Sequence, residues 1–199
     1  MNRRDFTTAA LALLGTATPL AAHTRSGLDA RIANQRLPQE LMPATVDIRA
    51  EFAPGEIHVD PNLFALYWTL PGNRAVRYAI GIGREGLYEP GEYWIRARRE
   101  WPSWRPTPDM IKRDPARYGP FAKDGMQGGI DNPLGARALY LFDASGRDTY
   151  LRVHGTNDPG TLQRAVSNGC ARLINSHMVD LYDRVPMNTR VVLYPKGSA

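Results

Sequence analysis

The only cysteine in the 199-residue chain, Cys170, lies in the stretch S-N-G-C-A-R, Ser167 to Arg172. A thiolate is a strong nucleophile, and it forms readily where positive charge or backbone N–H groups gather around the sulfur. Gly169 relieves crowding beside the thiol and lets the backbone turn there. Arg172 supplies positive charge two residues on, and His154 stands sixteen residues upstream in R-V-H-G-T-N-D-P. A histidine closing an alternating strand, with Gly155 directly after it, can turn its ring into a cleft and act as general base. A single cysteine cannot make an internal disulfide. Three readings therefore stand: an inert buried thiol, an intermolecular cross-link, or a nucleophile paired with His154. His58 and His177 read as structural residues. Scattered histidines with no second cysteine do not suggest a zinc site.

The elements that must carry these residues are short strands. E-I-H-V-D, F-A-L-Y-W-T-L and A-V-R-Y-A-I-G follow one another from Glu56, the last two joined by the turn P-G-N. Val76, Tyr78 and Ile80 alternate with Arg77 and Ala79, the period of a half-buried strand. E-Y-W-I-R-A-R, R-A-L-Y-L-F-D, T-Y-L-R-V-H and R-V-V-L-Y complete the set. Thr107-Pro108-Asp109 reads as an N-cap with proline at the first helical position, and Pro115 is expected to end that helix. Met178, Leu181, Tyr182 and Val185 form one apolar helical stripe, with Asn175 or Ser176 as the expected cap. Asp180 and Arg184 make an i,i+4 pair, Pro186 closes the helix, and Asn188 suits the turn into the last strand. The fold class that follows is a mostly β domain with a few short helices.

Composition agrees with one packed core: hydrophobic residues make up 43% and charged residues 23%. The formal charge of +5 is spread along the chain. Its densest group, Arg96, Arg98 and Arg99, reads as a solvated face, and nucleic acid is not expected as a partner. Residues 1–22 have the layout of an export signal: Arg3-Arg4, a short apolar run from Ala9 to Leu14, then small residues around Ala21 and Ala22. Arg3-Arg4 with Phe6 also resembles a twin-arginine signal. Export to the periplasm is the expectation. Removing residues 1–22 takes away Arg3, Arg4 and Asp5 and lowers the charge from +5 to +4. Residues 23–54 read as an arm or linker, and 55–195 as the catalytic domain.

Together these residues resemble the L,D-transpeptidase catalytic domain, also called the YkuD domain. Its pattern is roughly H-G-T, a variable stretch, then S-H-G-C-(I/V)-R; here H-G-T-N-D-P is followed by S-N-G-C-A-R-L. I-G-I-G-R-E-G, W-P-S-W-R-P-T-P-D-M, N-P-L-G-A-R-A-L-Y-L and P-M-N-T-R-V-V-L also fit, so the resemblance runs from about Pro54 to Tyr194. It implies a YkuD-like mixed β-sheet sandwich and a peptidoglycan stem peptide as substrate. Cys170 would attack the bond between diaminopimelate and the terminal D-alanine, with His154 as base. Ser167, Asn168 and Gly169 would shape the oxyanion loop through backbone groups, and Arg172, Gly155 and Thr156 would line the substrate site. Thr156 reads equally as a residue that only holds the loop, and Asp158 reads as a turn residue. No metal or organic cofactor is implied.

An amine of a second stem would give a 3→3 cross-link, a lipoprotein lysine an attachment, and water a carboxypeptidase; carbapenem-type β-lactams would inhibit. A non-catalytic cell-wall binding module and an exported protein with an inert thiol are the alternatives. Asn168 stands where the family usually has histidine. It can hydrogen-bond but cannot change charge near neutral pH, so a simpler pH dependence on the thiol side is expected.

Overall fold

The computed structural model describes residues 27–32, 37–156 and 158–197; the expected export signal at 1–22 lies outside them. Alternating side chains and turn residues convert into strands where the sequence places them. β1 is Ala44–Asp47, β2 Ile57–Asp60, β3 Ala65–Leu70 and β4 Arg74–Ala79. β5 is Ile82–Gly83, β6 Gly91–Glu100, β7 Arg137–Phe142 and β8 Asp148–Thr156. β9 is Ala165–Ser167, β10 Ala171–Ile174 and β11 Arg190–Leu193. β5 and β9, of two and three residues, are too short to show an alternation, and β10, A-R-L-I, does not show one; they are strands because they pair next to the cysteine loop. β1 lies within the segment expected as an arm, where it pairs antiparallel with β4.

Nine strands form one mixed sheet in the order β1-β4-β3-β2-β11-β6-β7-β8-β10, and β5 pairs with β9 beside it. The β8–β10, β2–β11 and β5–β9 pairs are parallel. The sheet bends back on itself: Gly81, just past β4, exchanges two 2.9 Å backbone hydrogen bonds with Arg172 of β10. The two halves close on one apolar interior that includes Leu66 and Tyr78 from one side and Leu139, Val153 and Leu173 from the other.

Helix α1 is Pro108–Arg113, capped as expected by the Thr107 hydroxyl on the Met110 amide. It ends at Arg113, short of Pro115 as expected, and Pro115 then opens a second turn, α2, Pro115–Tyr118, because the Asp114 carboxylate caps the Arg117 amide. Helix α3 is Asn175–Arg184; it ends before Pro186 and carries the Asp180–Arg184 ion pair at 2.8 Å. Its apolar stripe, Met178, Leu181 and Tyr182, is buried.

The expected side-chain cap on α3 is corrected: neither Asn175 nor Ser176 caps it, and Ile174 is the N-cap residue. Asn175 is committed elsewhere. Its buried Oδ1 accepts the Ala136 amide at 2.8 Å, fastening the entrance of β7 to the start of the helix. A side chain at Gly155 would stand 2.2 Å from that same oxygen, which is why glycine follows His154.

Upstream of the domain, Asp29 reaches back to it. Its carboxylate binds the buried Arg137 guanidinium at 2.7 and 3.0 Å and accepts the Trp101 indole N–H at 2.8 Å. The basic trio on β6 is less solvated than expected at its centre, where Arg98 lies over the Tyr182 ring and donates to the Tyr182 carbonyl.

Replacing Asn175 with alanine strands the buried Ala136 amide. The expected loss is about 1–3 kcal/mol, read as a lower urea midpoint at unchanged slope. A midpoint equal to wild type would show that water or a neighbouring group takes over the bond.

Candidate active site

Strands β8 and β10 run side by side and parallel, with Arg172 opposite His154 and Ala171 opposite Val153. Cys170 directly precedes β10, so the same register sets it beside Arg152. In strands, alternate side chains share a face, so Arg152 and His154 project together. Cys170, Arg152, His154 and Arg172 all line one cleft of about 800 Å³. A parallel pair needs a long connection, and the residues between His154 and Cys170 supply it.

The loop ahead of the thiol is held by Ser167. Its hydroxyl donates to the Cys170 carbonyl at 2.6 Å and accepts the Gly169 amide at 3.2 Å. The serine therefore shapes the loop through its side chain as well as through its carbonyl, which accepts the Arg84 amide at 3.0 Å. The Gly169 amide, engaged inside the loop, is not a free oxyanion donor. Gly169 has φ +118°, and a Cβ there would meet the Leu87 carbonyl at 2.8 Å. Only glycine fits.

Asn168 is tied on three sides. Its Oδ1 accepts from Arg84 and Arg113, each at 3.0 Å, and its Nδ2 donates to the Tyr118 hydroxyl at 2.8 Å. Arg113 and Tyr118 belong to the lobe of α1 and α2. Paired backbone bonds between Trp104 and Met126, at 2.6 and 2.8 Å, close the lobe's base, and Trp104 packs on Tyr118 and Phe121 within it. This lobe makes the wall of the cleft facing the sheet.

His154 is buried, and its Nδ1 lies 2.8 Å from the Gly155 carbonyl oxygen. A carbonyl can only accept, so Nδ1 carries the proton and Nε2 is left with its lone pair. Burial, then the nearby Arg172 charge, push the imidazole down to about 3, against the smaller opposing effect of the Gly155 bond. It is a neutral base at any ordinary pH. The Cys170 thiol is half-buried, with its sulfur 3.9 Å from the Tyr150 carbonyl oxygen. Burial pushes the thiol up, and the Arg152 amide and the charges of Arg152 and Arg172 offset this only in part. At rest the pair is thiol and neutral imidazole, not an ion pair.

Of the residues singled out in the sequence, Cys170, His154, Ser167, Asn168 and Arg172 line the cleft. Arg172 sends its guanidinium into it, with a buried Nε that has no hydrogen-bond partner among the described residues. Gly155 and Thr156 are not part of the lining. Gly155 packs under Asn175, and the buried Thr156 turns its hydroxyl to the Asp158 amide at 3.2 Å, holding the following loop. Asp158 is a turn residue, its carboxylate capping the Gly160 amide.

Two contributors were not singled out in the sequence. Arg152 is held by Asp148 at 2.7 and 2.8 Å and lies over the Tyr140 ring; its place two residues before His154 was the available signal. Tyr150 has φ +61°, strained for a tyrosine, and no residue pattern announces it.

Comparison with known proteins bears on this arrangement. The model of the L,D-transpeptidase catalytic domain, YkuD, matches residues 54–193. A protein from Escherichia coli K12 described as a probable L,D-transpeptidase, ErfK/SrfK, is 36% identical over 63% of this chain and 39% of its own length. A candidate L,D-transpeptidase from the ATP synthase subunits region of Fuscovulum blasticum is 31% identical over 86% of this chain and 93% of its own. Among solved structures, a Brucella melitensis protein described as a probable carnitine operon oxidoreductase is 47% identical over 79% of this chain and 96% of that one, with a TM-score of 0.54. An Enterococcus faecium L,D-transpeptidase shares the mixed-sheet fold at 14% identity, with a TM-score of 0.52 over 71% of this chain and 50% of that one. The family match covers most of the chain and all the cleft residues named above, and the chain belongs to the L,D-transpeptidase catalytic domain family.

Proposed function

We propose that this protein is a peptidoglycan L,D-transpeptidase with Cys170 as nucleophile and His154 as base. The observation that carries the reading is that the thiol and an imidazole with a free Nε2 line the same cleft. The substrate is the tetrapeptide stem, cut between diaminopimelate and D-alanine. As the sulfur attacks the diaminopimelate carbonyl, the thiol proton passes to His154 Nε2. The imidazolium so formed keeps its Nδ1 bond to the Gly155 carbonyl, which holds the ring in place as Nε2 gains and loses the proton. Since the Gly169 amide is held by Ser167, we assign the oxyanion to the Cys170 amide. The C–N bond then breaks, the D-alanine nitrogen takes the proton from His154, and a thioester remains. An acceptor amine gives a proton to His154 and attacks the thioester; the C–S bond breaks, and the departing Cys170 sulfur takes that proton back from His154.

Residues 55–195 form the catalytic domain in this reading, and residues 1–22 direct its export to the periplasm. Acceptors are a second stem, giving a 3→3 cross-link, or a lipoprotein lysine. Arg172, next to the thiol and without an internal partner for its Nε, suits a carboxylate of the stem. Carbapenems, which present an acyl group to the same sulfur, inhibit.

Incubation with a tetrapeptide stem or a carbapenem should add the acyl mass to the protein, on Cys170. The adduct should be absent from Cys170→Ala and formed at least about a hundredfold more slowly in His154→Gln, within the usual range for a general base. Sacculi digested after treatment should yield 3→3 dimers; tripeptides alone would make water the acceptor, and binding without an adduct would defeat the reading.

The protonation states predict a pH signature. A thiol pushed up stays protonated through neutral pH, so its thiolate fraction rises about tenfold per pH unit below its pKa. Alkylation of Cys170 by iodoacetamide should therefore climb steadily from pH 6 to 9. His154, neutral throughout, should add no inflection between pH 5 and 8. A plateau beginning in acid would reveal a thiolate–imidazolium pair instead.

A further inference from the structure

Several arginines are held by carboxylates: Arg137 by Asp29, Arg152 by Asp148, Arg184 by Asp180, and Arg190 by Glu56 and Glu92, and others, such as Arg96 on the Asn188 Oδ1, each take a neutral acceptor of their own. Arg84 and Arg113 differ in sharing one acceptor: both converge on the neutral Oδ1 of Asn168, at 3.0 Å each, so their bonding nitrogens stand no more than twice that distance apart. Among the described residues neither forms an ion pair with a carboxylate. A guanidinium has five N–H donors. One from each arginine goes to Asn168, and most of the remainder face solvent, since both side chains are exposed. Two like charges gathered around a neutral oxygen are completed by an anion that can bond to both.

The choice of asparagine is part of this device. A carboxamide oxygen has two lone pairs and can receive both arginines, while its Nδ2 donates to Tyr118. The opposite amide orientation would set donors against donors. An imidazole offers one lone pair when neutral and none when protonated, so histidine could not hold the pair. Asn168 and Arg113 line the same cleft as Cys170, two residues on from Asn168.

We propose that Arg84 and Arg113, organised by Asn168, form a carboxylate subsite beside the nucleophile, separate from Arg172. Resting on the acyl-transfer reading above, its ligand is a carboxylate of the stem peptide, carried either by the terminal D-alanine or by diaminopimelate. Arg84 and Arg113 bind this group, and Asn168 is a positioning residue.

The test compares two alkylating agents of similar size on Cys170, iodoacetate and iodoacetamide, in the wild type and in an Arg84→Gln, Arg113→Gln double variant whose folding is checked by its melting temperature. Loss of two charge-assisted contacts should lower the iodoacetate-to-iodoacetamide rate ratio by about tenfold, and the effect should shrink in high salt. An unchanged ratio overturns the subsite. Alkylation needs only the thiol, so this arm reads the subsite even if no acyl transfer occurs.

A second arm measures acylation with stems whose D-alanine or diaminopimelate carboxylate has been converted to an amide. The amide that raises KM in wild type but not in the double variant identifies the carboxylate bound. If neither amide separates the two proteins, the stem is not the ligand and the proposal fails in that part. If no stem acylates the wild type while the alkylation ratio still falls, the acyl-transfer reading fails and the anion site remains. Asn168→Asp, which would hold both arginines but neutralise them, should reproduce the lowered ratio; Asn168→Ala, which frees them, should lower it less.

Discussion

The site depends on the parallel pairing of β8 with β10. An antiparallel neighbour could follow β8 after a tight turn, and its register would be set by that turn. A parallel neighbour must cross back first, and the residues between His154 and Cys170 make that crossing. The chain then re-enters the sheet with Arg172 opposite His154, leaving the thiol just ahead of the strand, on the wall of the cleft. Ser167 and Gly169 fix the end of the crossing, and the Gly81 bridge to Arg172 ties it to the other half of the sheet. Asn175, just beyond β10, clamps the entrance of β7, so both neighbours of β8 are held from one short stretch of sequence.

Burying so many polar groups in a small interior has consequences. Arg152 and Arg172 bring positive charge close to both reacting groups, and the scaffold accommodates Arg152 with Asp148 and the Tyr140 face. An imidazolium there would be opposed by both arginines and by burial, so His154 rests neutral. The same charges favour a thiolate, but burial of the sulfur outweighs them. The electrostatics thus keep the proton on sulfur until something else enters the cleft. The Gly155 carbonyl supports a histidine of one tautomer without holding it charged, as a carboxylate would.

Much of this was legible in the residues. The lone cysteine, the upstream histidine and the arginine two residues on, singled out by residue type and spacing, do line one cleft. The long strands were legible because alternation and turn residues act locally. β5 and β9 were not, since strands of two and three residues carry no period, and neither were β1 and β10, whose A-T-V-D and A-R-L-I do not alternate clearly; these strands exist through their partners. Asn175 was misread for a related reason: asparagine before an apolar stripe is a good cap, but a buried amide across the sheet made the stronger demand. The short first helix was legible from Pro115; that the same proline opens a second turn was not, because this depends on the Asp114 carboxylate before it. Gly155 lies outside the cleft lining because a strand alternates: the residue beside His154 faces the opposite side, and here that side is filled by Asn175. Thr156, on the face of His154 but at the end of the strand, uses its hydroxyl to accept the Asp158 amide instead.

Asn168 shows how a departure from a family pattern is absorbed. At this position the side chain meets three partners drawn from three parts of the chain: the loop after β5, helix α1 and helix α2. A group in that place is chosen for what it can accept and donate at once. Two arginine donors need two lone pairs on one atom, and the tyrosine hydroxyl accepts the donor that the amide has left. Carboxamide is the neutral side chain that meets all three demands. An aspartate would satisfy the arginines but lose the donor and cancel their charge; a histidine would keep a donor but lose an acceptor. The lobe that covers the cleft is therefore joined to the nucleophile loop without the arginines being neutralised, and their charge stays available at the edge of the site.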